Sequence, residues 1–418
     1  MAGGADGLST ARLPDGTTPG VTTETAPLRA VMLHRPGDEI QRVTPRDTDR
    51  LLTGSARLEC IQQAHDSLAD VLRNRDVAVY LLGELLVETI AVSGAARIQG
   101  IAAAVRPRRL GVQLAGELSA YLRGLPAAGL AEILIAGMTF DELPRHDARS
   151  VPLDGTSLVR QMHHGDDFAI DPLPNLLFAR DSSFWIGQRF AIASLASVAR
   201  ERESSLTDLI YAHHPMFSGT RRAYGSQVVP VEGGDVLLLS AGVAVVGVSE
   251  RTTPAGAESL ARSLFDDDLA HTVLAVPIDR RVAHTRLDTL VTMVDTDTLL
   301  VGRSAAMSLV AYTIRSRDDG GVRVETPRPF QQAAAEAVGT TEMRLIQSRP
   351  GSDDVESNVE VGNLLSVAPG VVIAYDESVE TNRRLVDAGI EVLEIDGSKL
   401  VSVRGGPRGL VCPLIRQF

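Results

Sequence analysis

Acids and arginines gather in four separated blocks of this chain. They are Pro172-Leu173-Pro174-Asn175 running through Phe178 to Asp181, Glu232-Gly233-Gly234-Asp235, Arg286-Leu287-Asp288-Thr289, and Arg404-Gly405-Gly406-Pro407-Arg408. Singly, each has an ordinary structural reading: Asp181 can cap a turn, the Glu232 block can join two strands, and Gly405-Gly406 can be a bend. Together they are too many charges for a core, which tolerates them only when every one is hydrogen-bonded; a dense cluster of this kind marks a site more often than a scaffold. A formal net charge of −12 over 418 residues favours a small cation as ligand. It argues against nucleic acid, whose binding draws on neutralised phosphates. The two cysteines, Cys60 and Cys412, can build no disulfide framework and have no metal-ligand spacing, so each reads as a packed thiol and neither metal nor cofactor is expected.

These blocks need rigid elements to position them. A strand at Ala30 to Leu33, a helix with Ile61, Ala64, Leu68, Val71 and Leu72 on one face, and a strand at Val77 to Leu82 form a strand–helix–strand unit. Similar units recur: a strand from Arg189 with a helix around Ser205, strands at Val236 and Val243 with a helix from Ala255, strands near Leu290 and Leu299 with a helix around Gln331, and Val371 to Ile395. About five modules predict a repeated α/β architecture, with an ordinary open α/β sheet as the alternative. Residues 1–27, rich in Gly and Thr, read as a flexible tail before a domain spanning 28–418. Ala95 to Leu143, rich in Ala and Leu at helical spacing, reads as an inserted helical subdomain. No run of eighteen apolar residues appears and the start lacks an export segment, which predicts a cytoplasmic protein that does not engage membranes.

In order, content and spacing the four blocks resemble those of the arginine deiminases, cysteine hydrolases that convert arginine to citrulline and ammonia. Leu33-His34-Arg35-Pro36-Gly37, His213-His214-Pro215-Met216-Phe217, Gly247 to Thr253 and Thr381-Asn382-Arg383-Arg384-Leu385 agree, so the resemblance runs from about Leu28 to the C-terminus. It implies a five-bladed, pseudo-symmetric α/β propeller of pentein type with a helical insertion. A guanidinium is flat, permanently charged and bears five N–H donors, so its pocket must supply carboxylates at more than one edge. Asp181, Glu232 and Asp288 fall on the family positions that do this. Asn175, Arg200, Arg251 and Arg404 match those that bind the substrate carboxylate, and Phe178 those that line the aliphatic stem. Glu203 matches a family acid that orients neighbouring arginines. The resemblance also implies arginine or another guanidino compound as ligand and a homo-oligomer, with a protein partner possible.

Two matches fail. The family's nucleophilic cysteine follows the Gly-Gly-Pro-Arg segment, where this chain has Gly409, and its histidine stands two residues before the last aspartate, where this chain has Arg286. Glycine has nothing to attack with, and arginine does not give up its proton. Three residues from Gly409, Cys412 is expected to point away, and His284 could replace the histidine only through a register shift. Arg286 is expected to reach the acids as a tethered copy of a substrate head group, or to share them with a ligand. The expectation is a deiminase-like pseudoenzyme that senses a ligand or regulates a partner. The alternatives are an enzyme of altered chemistry on arginine or a modified arginine, using Cys412 or no covalent intermediate, and a structural subunit.

Overall fold

One building unit recurs five times among the residues described: two antiparallel strands, a helix, and a third strand parallel to the second. The structure, a computed structural model, describes residues 11–42, 58–143, 157–225, 229–279, 286–302, 308–317, 319–348, 363–397 and 405–417. The first unit holds β1 (Leu28–Leu33), α1 (Leu58–Arg73) and β2 (Ala78–Leu81), with β2 parallel to β1. Helix α1 forms because Ile61, Ala64, Leu68 and Leu72 recur at helical spacing, and that face is the one it buries. Next come α2 (Leu82–Val92), α3 (Gly94–Ala104), the short turn Pro107–Leu110, α4 (Val112–Arg123) and α5 (Ala127–Ala136).

The second unit is β3 (Ser183–Ile186), β4 (Arg189–Ile192), α6 (Glu201–His213) and β5 (Arg221–Tyr224). The third is β6 (Val236–Ser240), β7 (Gly242–Val248), α7 (Pro254–Asp266) and β8 (Ala270–Pro277), widened by Val310–Ser316 alongside β8. The fourth is β9 (Val291–Asp295), β10 (Thr298–Val301), α8 (Phe330–Val338) and β11 (Arg344–Gln347). The fifth is β12 (Leu365–Ala368), β13 (Val371–Tyr375), α9 (Val379–Asp387) and β14 (Glu391–Ile395). Finally β15 (Cys412–Arg416) pairs antiparallel with β1, so the two chain ends complete the first unit together. These five units are the repeated α/β architecture that the modules predict and the pentein-type propeller that the resemblance implies.

Two boundaries differ from expectation. Residues 11–27 are not a tail: Gly20 N–H donates to the Leu414 carbonyl at 2.8 Å, Val21 and Gly187 exchange backbone hydrogen bonds, and Glu24 is buried. Glu24 is drawn in because its carboxylate neutralises Arg180 and Arg408, a requirement that composition cannot reveal. Residues 1–10 lie outside the described part. The helical stretch begins at Leu82 rather than Ala95, since Leu82, Leu85, Leu86 and Ile90 run straight on from β2 at helical spacing. Ser93 then caps α3 by accepting from the Ala96 N–H at 3.1 Å.

Candidate active site

Every unit carries its polar groups just before its first strand. Asp181 lies in the turn Ala179–Ser182 ahead of β3, Glu232 and Asp235 bracket Gly233–Asp235 ahead of β6, Asp288 lies in Leu287–Leu290 ahead of β9, and Arg408 and Gly409 lie in Pro407–Leu410 ahead of β15. In the fifth unit Asn363 stands ahead of β12, and its Oδ1 accepts the Gly409 N–H at 2.9 Å. The repeat therefore brings four blocks, far apart in sequence, to one buried place. Glycine is needed where turns touch: a Cβ on Gly234 would lie 2.6 Å from Arg286 Cδ, and one on Gly405 would lie 2.1 Å from Phe178 Cε1.

The acids and arginines interlock. Asp181 Oδ2 accepts from Arg200 Nη1 at 2.9 Å and from Arg286 Nη1 at 2.7 Å. Arg286 Nε lies 3.6 Å from Asp288 Oδ1, while Asp288 Oδ2 accepts from Arg408 Nη1 at 3.0 Å. Arg251 donates to Glu232 at 2.8 Å. Arg200 also binds Glu203 and the Asn175 carbonyl, so all of its nitrogens are engaged. Asp235 takes the Leu287 N–H at 2.9 Å and the Thr252 hydroxyl at 2.6 Å, and Thr252 in turn accepts from the Glu232 N–H. It thereby ties the turns of the third and fourth units together.

All these carboxylates are buried, and their titration depends on how many cations each one meets. Burial pushes Asp181 up, but Arg286, Arg200 and Arg251 together hold it below its ordinary value. At Asp288 burial outweighs Arg286 and Arg408, and the carboxyl is raised. Burial also raises Glu203 against the pull of Arg200, and it pushes Asp235, which pairs with no arginine among the described residues, up to about 7. Asp181 Oδ1, Asp288 Oδ1, Asn175 Oδ1 and Arg251 Nε have no hydrogen-bond partner among the described residues. Buried polar atoms of this kind are uncommon in native proteins, and here they are acceptors and a donor suited to a ligand with N–H groups and a carboxylate.

Arg286 sits where it was expected, between Asp181 and Asp288, with its Nη2 3.9 Å from the Cβ that a side chain at Gly409 would have. Cys412 points away: its thiol contacts Ser183 and Tyr211 in the apolar core, and burial raises its pKa. Gly409 belongs to a helical turn rather than an extended segment, so the divergence arises where that turn passes into β15. Arg404 and His284 lie outside the described residues. Sequence reasoning missed Glu24, Arg180 and Asn363 as parts of the cluster. Arg180, adjacent to Asp181, was findable; a lone glutamate among threonines was not.

Five such units around an axial acid–arginine cluster define a pentein. Solved pentein structures align over nearly the whole chain: DDAH from Pseudomonas aeruginosa complexed with citrulline (14% identity, TM-score 0.51, 92% of this chain and 98% of that one) and SxtG, an amidinotransferase from Microseira wollei (11%, 0.52, 96% and 98%). At such identities the likeness speaks for the fold alone. At the sequence level an arginine deiminase profile matches residues 49–416. The arginine deiminase of Rhodococcus opacus is 58% identical over 403 residues, 95% of this chain and 97% of the relative, and that of Mycolicibacterium gilvum is 59% identical over 95% and 98%. The chain belongs to the arginine deiminase family.

The expectation of a pseudoenzyme is corrected by these relatives. Identity near 60% along almost the entire length of arginine deiminases supports a working deiminase-type hydrolase over an inactive chain. The alternative of an enzyme acting on arginine takes its place.

Proposed function

We propose that the chain hydrolyses the guanidinium of arginine, or of a modified arginine, to a ureido group with release of ammonia or the corresponding substituted amine, with water as the attacking group. The observation that carries this reading is that the acids already grip a guanidinium, that of Arg286, while Asp181 and Asp288 each keep one oxygen without a hydrogen-bond partner among the described residues. An arriving guanidinium shares or displaces Arg286. Asp181 and Glu232 then hold its head, Phe178 lines its stem, and Asn175 with Arg251 Nε meets its carboxylate, to which Arg404 contributes. Asp288, its pKa raised by burial, is the base suited to take a proton from water as oxygen bonds to the guanidinium carbon. The proton returns to the departing nitrogen, the carbon–nitrogen bond breaks, and ammonia or the substituted amine leaves. No step needs a thiol, in keeping with the Cys412 side chain facing the core. A cytoplasmic homo-oligomer goes with this reading.

The test is release of citrulline and ammonia from arginine, and of citrulline and methylamine from Nω-methylarginine, before and after iodoacetamide. Turnover that survives alkylation and falls about 10²–10⁴-fold in Asp288→Asn is expected for a lost general base. Absence of any product from every guanidino substrate, or full loss on alkylation, would overturn the proposal.

A further inference from the structure

Where the helical insertion meets the second unit, a cleft of about 40 Å³ opens, lined by Arg106, Arg109, Arg202, Asp171, Ala169 and Val198 among others. We propose that it is a regulatory site for a phosphate-type dianion, free or as the terminal group of a small metabolite. Three guanidinium groups face one lining carboxylate, in a chain whose net charge is strongly negative. Arg109 pairs with Asp171, and Arg106 pairs at the rim with Glu201 at 3.1 Å, both partly exposed. Arg202 differs: it is 7% exposed and donates only to main-chain carbonyls, Asp171 O at 2.5 Å and Leu134 O. Carbonyls satisfy its donors without cancelling its charge, and no carboxylate among the described residues pairs with it. Burial lowers its pKa to about 10, with Asp171 and Glu203 opposing the effect and Arg106 and Arg109 adding to it. A buried cation in that position is stabilised by an anion that the cleft can admit, and planar guanidinium groups recognise tetrahedral oxyanions through paired N–H groups.

The cleft is joined to the active site through one turn of helix. Arg202 lies between Arg200, which holds Asp181, and Glu203, which chelates Arg200. An anion drawing on Arg202 therefore acts on the first turn of α6, and so on how firmly Asp181 is held. The direction of regulation follows: occupancy fixes that turn and lowers KM for the guanidino substrate, an effect that rests on the function proposed above, whereas binding itself does not.

Calorimetry with inorganic phosphate and with glycerol 3-phosphate, against chloride at matched ionic strength, tests the site without any need for turnover. Phosphate binding that chloride does not reproduce, weakened at least about tenfold in the double variant Arg106→Ala/Arg109→Ala, is the expected result. The ratio of the two affinities tells free phosphate from a phosphomonoester. Val198→Glu, at an exposed position on the lining, supplies an internal anion and is expected to abolish binding while leaving the fold intact. No binding to the wild-type protein, or binding unaltered in both variants, overturns the proposal. Binding with no change in KM refutes only the coupling.

Discussion

Replacing Arg286 by alanine tests how the acids are shared. Arg286 donates one buried, charge-assisted hydrogen bond to Asp181 at 2.7 Å and lies 3.6 Å from Asp288. A hydrogen bond between charged partners is worth about 1.5–3 kcal/mol net. An incoming guanidinium that must displace Arg286 gains one such bond and breaks another, so most of its head-group affinity is cancelled. Arg286→Ala removes the competitor while Arg200 still neutralises Asp181 and Arg408 still neutralises Asp288. Arginine affinity is expected to rise by about 10- to 100-fold, the equivalent of the hydrogen bond no longer broken. The ligand-free variant loses stability because two carboxylates each give up a cation, and arginine restores it, so the thermal shift produced by arginine should exceed that of the wild type. Loss of the cation also pushes the Asp288 carboxyl further up, moving the acid limb of the pH–rate profile to higher pH. Calorimetry and KM measured side by side give the answer. Arginine binding that is unchanged or weaker in the variant would show that Arg286 does not occupy the subsite the substrate uses.

Gly409→Cys should fold normally, because the added Cβ meets nothing closer than 3.7 Å, and it should make activity sensitive to iodoacetamide; combined with Arg286→His it should raise citrulline turnover by about 10²–10⁴-fold. Cys412→Ala should leave turnover unchanged at a cost of about 1 kcal/mol in unfolding free energy, since the thiol packs against Ser183 and Tyr211 in the core. Asp235 binds its proton more tightly folded than unfolded, with a pKa of about 7 against 3.8, so the stability it contributes is complete below about pH 4 and is lost as pH rises towards 7. Asp235→Asn should flatten that decline in denaturant titrations between pH 4 and 7, and an unchanged slope would place its origin elsewhere.

Much of this molecule was legible because its signals are local. The helical face of α1, the valine-rich pair β6 and β7 and the strand–helix–strand rhythm follow from side-chain spacing, and the observed elements match those readings within a few residues. The convergence of Asp181, Asp288 and Arg286 was also readable, but only once the blocks were compared with a family; spacing along the chain says nothing of which turns meet. What escaped was set by tertiary charge balance. Glu24 looks like tail composition, yet it is held well below the usual carboxylate range, at about 2, by Arg180, Arg408 and Arg416, which together outweigh the cost of its burial. Leu82 to Ile90 escaped for a different reason: no turn residue separates β2 from α2, and a short apolar run reads equally well as strand or helix.

The axial charges also explain how the site tolerates exchanges at two positions of the family pattern. Asp181 of the second unit is held by Arg286 from the fourth, Asp288 of the fourth by Arg408 from the first, and Glu24 from the N-terminal segment by Arg180 and Arg408. The pairs Arg286–Asp181 and Arg408–Asp288 therefore brace one unit against another, and buried ions are stable there only while all the units supply their partners. Within such a lattice an added cation is neutralised where a carboxylate already stands, which is how Arg286 is accommodated against Asp181, while Gly409 subtracts a side chain without removing any charge. Both exchanges leave the brace intact. Loss of Asp288 or Arg408, by contrast, removes a strut of the ring along with a group at the site.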